Sequence, residues 1–243
     1  MAQDFSVRWF ATFLDPGRDG EAALARQEVD AACAWLPQPG CRRVLDLCCG
    51  PGRHSEFFAS RGLEVTGLDR DHAALAAARQ RVPQAHFVHG DQRDVARIAP
   101  GPFDAVLCLW QSFGFFDAAG NDAVLAGVAQ VLRPGGRFVV DLFRRGWVAA
   151  HGGVQEPLAD GTVSTFRDLG DGRWQDLIRY PDGETDTLEW ELFEPEDLVA
   201  RAARAGFAPV ATLHRWQPVD AVTADAARFQ VVLERHPLAA LVP

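Results

Sequence analysis

Lysine is absent from this sequence, so all 24 residues in the Lys plus Arg total are arginines. No side chain can then act as a phosphate-loop lysine, a Schiff-base lysine or a lysine general base, which excludes pyridoxal-phosphate chemistry. Metal-ligand spacing is also missing. The five cysteines, at 33, 41, 48, 49 and 108, are odd in number and show no C-x-x-C pair. They read as reduced, buried thiols of a cytoplasmic protein, with no metal site. No apolar run approaches the roughly 18 residues of a membrane span, and no basic-then-apolar signal region opens the chain. A cytoplasmic location without membrane contact is the expectation. Basic stripes are lacking too: the net charge is −9, and Arg42-Arg43 and Arg144-Arg145 are only short pairs. Nucleic acid is therefore a poor choice of partner.

What is present is ordinary for a globular chain. An apolar share of 48% and a charged share of 23% exclude disorder, collagen and coiled coil. A chain of 243 residues buries about 70–75% of its unfolded surface and can fold unaided.

After a predicted helix over 20–36 and the break Pro37-Gln-Pro-Gly40, strand and helix signals alternate. Strands are predicted at 44–48, 64–68, 86–89, 104–109 and 137–142, with helices at 53–61, 71–81 and 121–132. In the last of these, Leu125, Val128, Ala129 and Leu132 form one face and Asn121 is the expected cap. Runs such as AVLCL and FVVDLF lack polar alternation, as in strands covered on both faces. The class predicted is α/β, a doubly wound, mostly parallel seven-stranded sheet with helices on both faces.

Asp160-Gly161, Asp171-Gly172 and Asp182-Gly183 then recur every eleven residues between segments rich in β-formers, a pattern of hairpin turns. It predicts an antiparallel meander of three or four strands inserted after the fifth strand. A helix at 196–205 and strands at 207–216 and 228–234 follow. The expected division is an N-terminal helical segment (1–39), a cofactor-binding core (40–150), an inserted β lid (151–193) and a closing helix with hairpin (194–243).

The segment VLDLCCGPGRHS places a Gly-Pro-Gly turn after the first strand, and Asp69 ends the second strand about twenty residues on. In an open α/β sheet such a turn approaches a ligand, and an acid there suits ribose hydroxyls. The dinucleotide fingerprint G-x-G-x-x-G is not met, because Ser55 holds its third glycine position.

In order and spacing, LDLCCGPG, VTGLDRD, HGDQRD, FDAVLCLWQSFG and LRPGGRFVVDLF resemble the class I S-adenosylmethionine-dependent methyltransferases. The resemblance covers roughly residues 40–145 and the helix and hairpin after the meander. Asp46, Cys48, Gly50 and Gly52 fill the places of the first motif, Cys48 departing at its first glycine. The resemblance implies S-adenosylmethionine as cofactor and S-adenosylhomocysteine as product. It assigns the turn Cys48–Gly52 to the methionine moiety and sugar, Asp46 to the ammonium and Asp69 to the ribose. Arg70 would flank the adenine, with Asp91 on its amino group and the Gln92 backbone on a ring nitrogen. Leu109 and Trp110 lie where the fourth strand delivers the sulfonium.

Methyl transfer from a sulfonium is an in-line displacement, served by alignment and exclusion of water. The aromatic loop after the fourth strand, with Gln111, Phe113 and Phe116, is the expected acceptor wall. Arg144 and Trp147, leading into the meander, and Tyr180 upon it complete the expected contacts. The candidates for a general base are His151, His214 and Tyr180. The Asn/Asp-Pro-Pro-Tyr/Phe tetrapeptide of base-methylating enzymes is absent. A small, partly apolar acceptor is expected, methylated at N, O or C. The meander reads as a lid, a homodimer interface or both. Two other readings stay open: a methyltransferase-like protein that binds the cofactor without transferring methyl, and an NAD-dependent oxidoreductase.

Overall fold

The computed structural model describes residues 8, 9 and 12 and residues 21–99 and 101–236. In chain order the first half holds α1 (Glu21–Cys33), β1 (Arg43–Leu47), α2 (Arg53–Ser60), β2 (Glu64–Asp69), α3 (His72–Arg81), β3 (His86–His89), α4 (Val95–Ile98) and β4 (Phe103–Cys108). It continues with α5 (Ala118–Val131), β5 (Leu132–Phe143), α6 (Arg145–His151), β6 (Gly153–Val154), β7 (Val163–Gly170), β8 (Arg173–Arg179) and β9 (Thr185–Glu191). The chain closes with α7 (Pro195–Arg204), β10 (Phe207–His214), β11 (Gln217–Pro218) and β12 (Arg228–Arg235).

The main sheet runs β11-β10-β12-β5-β4-β1-β2-β3. β1 to β5 are mutually parallel, while β12 pairs antiparallel with both β5 and β10. Seven strands are expected from sequence; the eighth is the two-residue β11 at the edge. Alternate residues of the central strands feed opposite cores. Val44, Ala105, Val139 and Val232 pack with Ala25 and Val29 of α1 and Phe57 and Phe58 of α2. Their neighbours Leu45, Val106, Phe138 and Val231 pack with Leu125 and Val128 of α5 and Leu198 and Ala202 of α7. Burial on both faces is why these strands read as unbroken apolar runs.

The cap of α5 departs from expectation. The helix starts at Ala118, and Asp117 caps it by accepting from the Gly120 N–H at 2.8 Å. Asn121 is instead fully buried, accepting from Phe116 N–H and donating to Phe116 O and Glu191. β5 also begins earlier than predicted, at Leu132, absorbing the Arg-Pro-Gly-Gly segment.

The second sheet is antiparallel, in the order β6-β7-β8-β9. Asp171 and Gly172 both take positive φ, 51° and 76°, the two-residue turn that Asp-Gly favours. The inner face carries Trp174, Ile178, Leu188 and Trp190, which cluster with Val148 of α6, with Phe115 of the loop after β4 and with Phe143 at the end of β5. This sheet is tied to the loop after β4 by the Glu191 N–H to Gly114 O bond of 2.8 Å. Gly114 sits at φ 107°, and a Cβ there would meet Glu191 O at 2.4 Å, so only glycine allows that approach.

Candidate active site

A cavity of 570 Å³ opens at the carboxyl ends of β1, β2 and β4, between the main sheet and the small one. Strand order reverses between β1 and β4, the place where open α/β sheets bind ligands.

The turn after β1 shapes its floor. Cys48, Gly50 and Gly52 have φ of 63°, 51° and 79°. Cys48 therefore holds a left-handed conformation at the position where the resemblance places glycine, at a cost of roughly 1 kcal/mol or more. Gly52 does not line the cavity. It caps α2, and a Cβ on it would meet Ala78 Cβ at 3.1 Å, so its role is to let α2 pack against α3.

Two buried acids flank the turn, and both line the cavity. Asp46 accepts the Ser55 hydroxyl at 2.6 Å, and burial pushes its carboxyl up against the opposing pull of His54 and Ser55. Asp69 accepts the Gly50 N–H at 2.8 Å and the Asp71 N–H at 2.9 Å. Burial raises it as well, offset by those N–H groups. Arg70, Asp91 and Gln92 line the next stretch of wall. Both oxygens of Asp91 are engaged by Arg93, which outweighs burial and holds the carboxyl below its ordinary range. Gln92 donates to Ser112 O at 3.2 Å, while its Oε1 is buried without a partner among the described residues.

At the end of β4, Leu109, Trp110 and Gln111 line the cavity. Trp110 and Gln111 both hold φ near 60° (59° and 60°), consecutive left-handed residues neither of which is glycine. Asp141 of β5 fixes them: its Oδ2 accepts the Trp110 N–H at 3.1 Å, and its carbonyl accepts the Gln111 N–H at 3.0 Å. Burial works against the Asp141 charge, but Arg228, the Gln230 amide and the Trp110 N–H prevail and keep its carboxyl low. The indole N–H of Trp110 donates to Glu28 of α1 at 2.8 Å, and the Arg53 guanidinium lies 4.5 Å from its ring.

Several residues expected at the acceptor wall lie elsewhere. Phe113 is fully buried in the core against Phe193. Arg144 pairs with Glu194 at 3.0 Å and bonds the Ala224 and Ala226 carbonyls. Trp147 stacks on His151, which is exposed and bonded to Trp147 O at 2.9 Å. The Tyr180 hydroxyl donates to Asp186 at 2.7 Å, and Arg8 covers its ring. His214, on β10, is not in the lining either. None of the three candidate bases therefore faces the cavity, because each is oriented by a local partner or stands outside the cavity lining. Phe116 does line it.

Residues not singled out from sequence complete the wall: Glu28 and Arg228 from distant segments, and Ser164, Phe166, Asp176, Leu188 and Trp190 from the small sheet. A signal for Asp176 is present in the sequence. It is the acid in the alternating register Trp174, Asp176, Ile178, where every other member is apolar and buried.

A largely parallel α/β sheet with an antiparallel closing hairpin, a glycine turn after β1 and an acid ending β2 defines the Rossmann-like fold of class I methyltransferases. Residues 44–136 match the family described as a methyltransferase domain. Trans-aconitate 2-methyltransferase of Paracidovorax citrulli is 31% identical over 158 residues, 60% of this chain and 59% of that protein. A dTDP-3-amino-3,4,6-trideoxy-alpha-D-glucopyranose N,N-dimethyltransferase of Streptomyces venezuelae is 34% identical over 145 residues, 57% of this chain and 59% of that one. The S-adenosylmethionine-bound amino pentose methyltransferase of Micromonospora echinaspora superposes with a TM-score of 0.66 at 27% identity, covering 96% of this chain and 98% of that one. The chain spans about three fifths of the length of those first two curated relatives.

Proposed function

We propose that the chain is an S-adenosylmethionine-dependent methyltransferase acting on a small, partly apolar acceptor. The observation that carries this reading is one cavity with two kinds of wall. Its main-sheet wall offers a glycine turn and buried acids, and its other wall is a face of the inserted sheet on which Phe166, Leu188 and Trp190 frame Ser164 and Asp176. Relatives whose names give an amino sugar, trans-aconitate or glycine as acceptor support a small-molecule substrate.

The donor set fits the cofactor. Asp69 would take the ribose hydroxyls on the lone pairs left by Gly50 and Asp71, and Asp46 the ammonium. The unpartnered Gln92 Oε1 offers an acceptor to the adenine amino group, a better one than Asp91, whose oxygens Arg93 already holds. Arg70 would flank the adenine. The left-handed Cys48 and Gly50 bring backbone against the methionine moiety, and Leu109 and Trp110 border the methyl group. The bound cofactor supplies an electrophilic methyl on a sulfonium; the chain aligns the acceptor and keeps water out. The inserted sheet serves as the lid. Ser55, which stands where a dinucleotide fingerprint needs glycine, is committed to Asp46.

Thermal unfolding with S-adenosylmethionine, S-adenosylhomocysteine or NAD added separately tests this. Ligand at a hundred times its Kd adds about 2.7 kcal/mol, a rise of roughly 5–10 °C for a chain of this size. The two adenosyl compounds should raise the midpoint and NAD should not. A rise with NAD alone, or with none, would overturn the assignment.

A further inference from the structure

Asp176 stands on β8, an inner strand of the small sheet. Phe166 lies opposite it on β7 and Leu188 on β9, with Ser164 and Trp190 on the diagonals. All five residues line the cavity. Asp176 is only 6% exposed, and among the described residues no cation pairs with it. Its Oδ2 accepts the Ser164 hydroxyl at 3.3 Å, while Oδ1 is buried with no hydrogen-bond partner among the described residues. A carboxylate oxygen left so costs several kcal/mol unless something supplies a donor and a countercharge. The walls beside it are the faces and edges of Phe166 and Trp190, whose rings meet at 6.3 Å in a T-shaped pair. An anion framed by aromatic rings is the recognition set for an organic cation.

Resting on the methyltransferase reading, we infer that Asp176 is the acceptor-binding residue and that the acceptor is an amine, held as its ammonium by this carboxylate against Phe166 and Trp190. A carboxylic acid acceptor would bring a second anion to the same unshielded oxygen. An alcohol would supply a donor but no charge.

The arrangement also gives the amine the form that reacts. An N–H bond of the ammonium breaks, an O–H bond forms on Oδ1, and the electron pair stays on nitrogen as the lone pair that displacement needs. The proton passes from Asp176 to water when the site reopens. Burial pushes this carboxyl up to about 6, against the pull of the Ser164 hydroxyl and Thr165 N–H, so it accepts a proton more readily than an exposed aspartate.

Calorimetric binding of phenethylamine and cyclohexylamine, each paired with the alcohol of the same skeleton, tests the inference on wild type and Asp176→Asn. The titrations are run with and without saturating S-adenosylhomocysteine. In wild type the amines should bind at least tenfold more tightly than the alcohols. In Asp176→Asn that preference should vanish, with affinity for S-adenosylhomocysteine unchanged. Equal binding of amine and alcohol by wild type overturns the inference, as does no binding of either, and neither result needs the variant to fold. Persistence of the preference in Asp176→Asn overturns it too. Failure of S-adenosylhomocysteine to bind while the amine preference holds would sink the cofactor reading and leave this one standing.

Discussion

At Asp69 one carboxylate already serves two backbone N–H groups, those of Gly50 and Asp71, before any ligand arrives. The ribose role proposed for it therefore uses remaining lone pairs, and the acid does two jobs: it fixes the glycine turn and presents its charge to the cavity. Asp69→Asn keeps the size but turns one acceptor oxygen into a donor. Losing a charge-assisted hydrogen bond costs about 1.5–3 kcal/mol, so affinity for S-adenosylhomocysteine should fall roughly ten- to a hundredfold. Calorimetric titration of the variant checks this, and unaltered affinity would remove Asp69 from the sugar site. Asp46, Asp69 and the turn were legible in the sequence because they are set by short-range spacing within one βα unit. For Asp176 only its place as the acid in an apolar strand register was legible; its position at the cavity, like that of Glu28 and Arg228, depends on how distant segments meet. Trp110 was legible as a wall residue, but not its strained backbone, which rests on Asp141 from the neighbouring strand.

Between elements, one arginine adds to the contacts that hold the inserted sheet. Arg201 of α7 bonds both oxygens of Glu191, at the end of β9, at 2.7 Å each; it also bonds Asp122 at 2.6 Å and the Ala118 carbonyl at 2.6 Å. Glu191 in turn accepts from the buried Asn121, and its N–H reaches Gly114. Arg201→Ala would remove the cation from both carboxylates, leaving that of Glu191 only its bond from Asn121 among the described residues. A loss of roughly 2–4 kcal/mol is expected, below the figure for a fully enclosed pair because the Asp122 side chain is 50% exposed. The lesion lies where β9 meets α5 and α7, so hydrogen exchange should rise first in β8 and β9, ahead of β1 and β4. Uniform acceleration across both sheets would show that the small sheet is not anchored there. The sequence showed the meander through its Asp-Gly turns and β-formers. It could not show this anchor, whose three partners come from α5 and β9 while the arginine stands on α7, nor that Tyr180, His151 and Arg144 spend their polar groups on neighbours instead of the cavity.

Across the whole molecule, the buried acid of the small sheet predicts how stability varies with pH. Its carboxyl stands at about 6 in the folded chain against an ordinary 3.8. Between those values the folded chain binds the proton that the unfolded chain has released, so stability falls as pH rises through this window. Below it both states are protonated and no penalty exists; above it both are ionised and the penalty is complete, about 3 kcal/mol. On the same face, Asp168 of β7 stands opposite Trp174 and accepts from the Gly170 N–H. Asp186 of β9 stands opposite Ile178 and accepts from the Tyr180 hydroxyl. Both acids are common to wild type and variant, and Ser164, Phe166, Leu188 and Trp190 fill the rest of the surroundings. The cavity's other charged residues, including Glu28, Arg53, Asp46, Asp69 and Arg228, come from α1, α2 and the main sheet and are common to wild type and variant. Urea unfolding of wild type and Asp176→Asn from pH 4 to 8 should therefore show a gap in the variant's favour. It should open between about pH 4 and 6 and stay constant above. Parallel curves would mean that the carboxyl is not desolvated. Bound phenethylamine should narrow the gap above pH 6, since its ammonium supplies the countercharge that the fold withholds. A gap that stays open with the amine bound would place the cation elsewhere in the cavity.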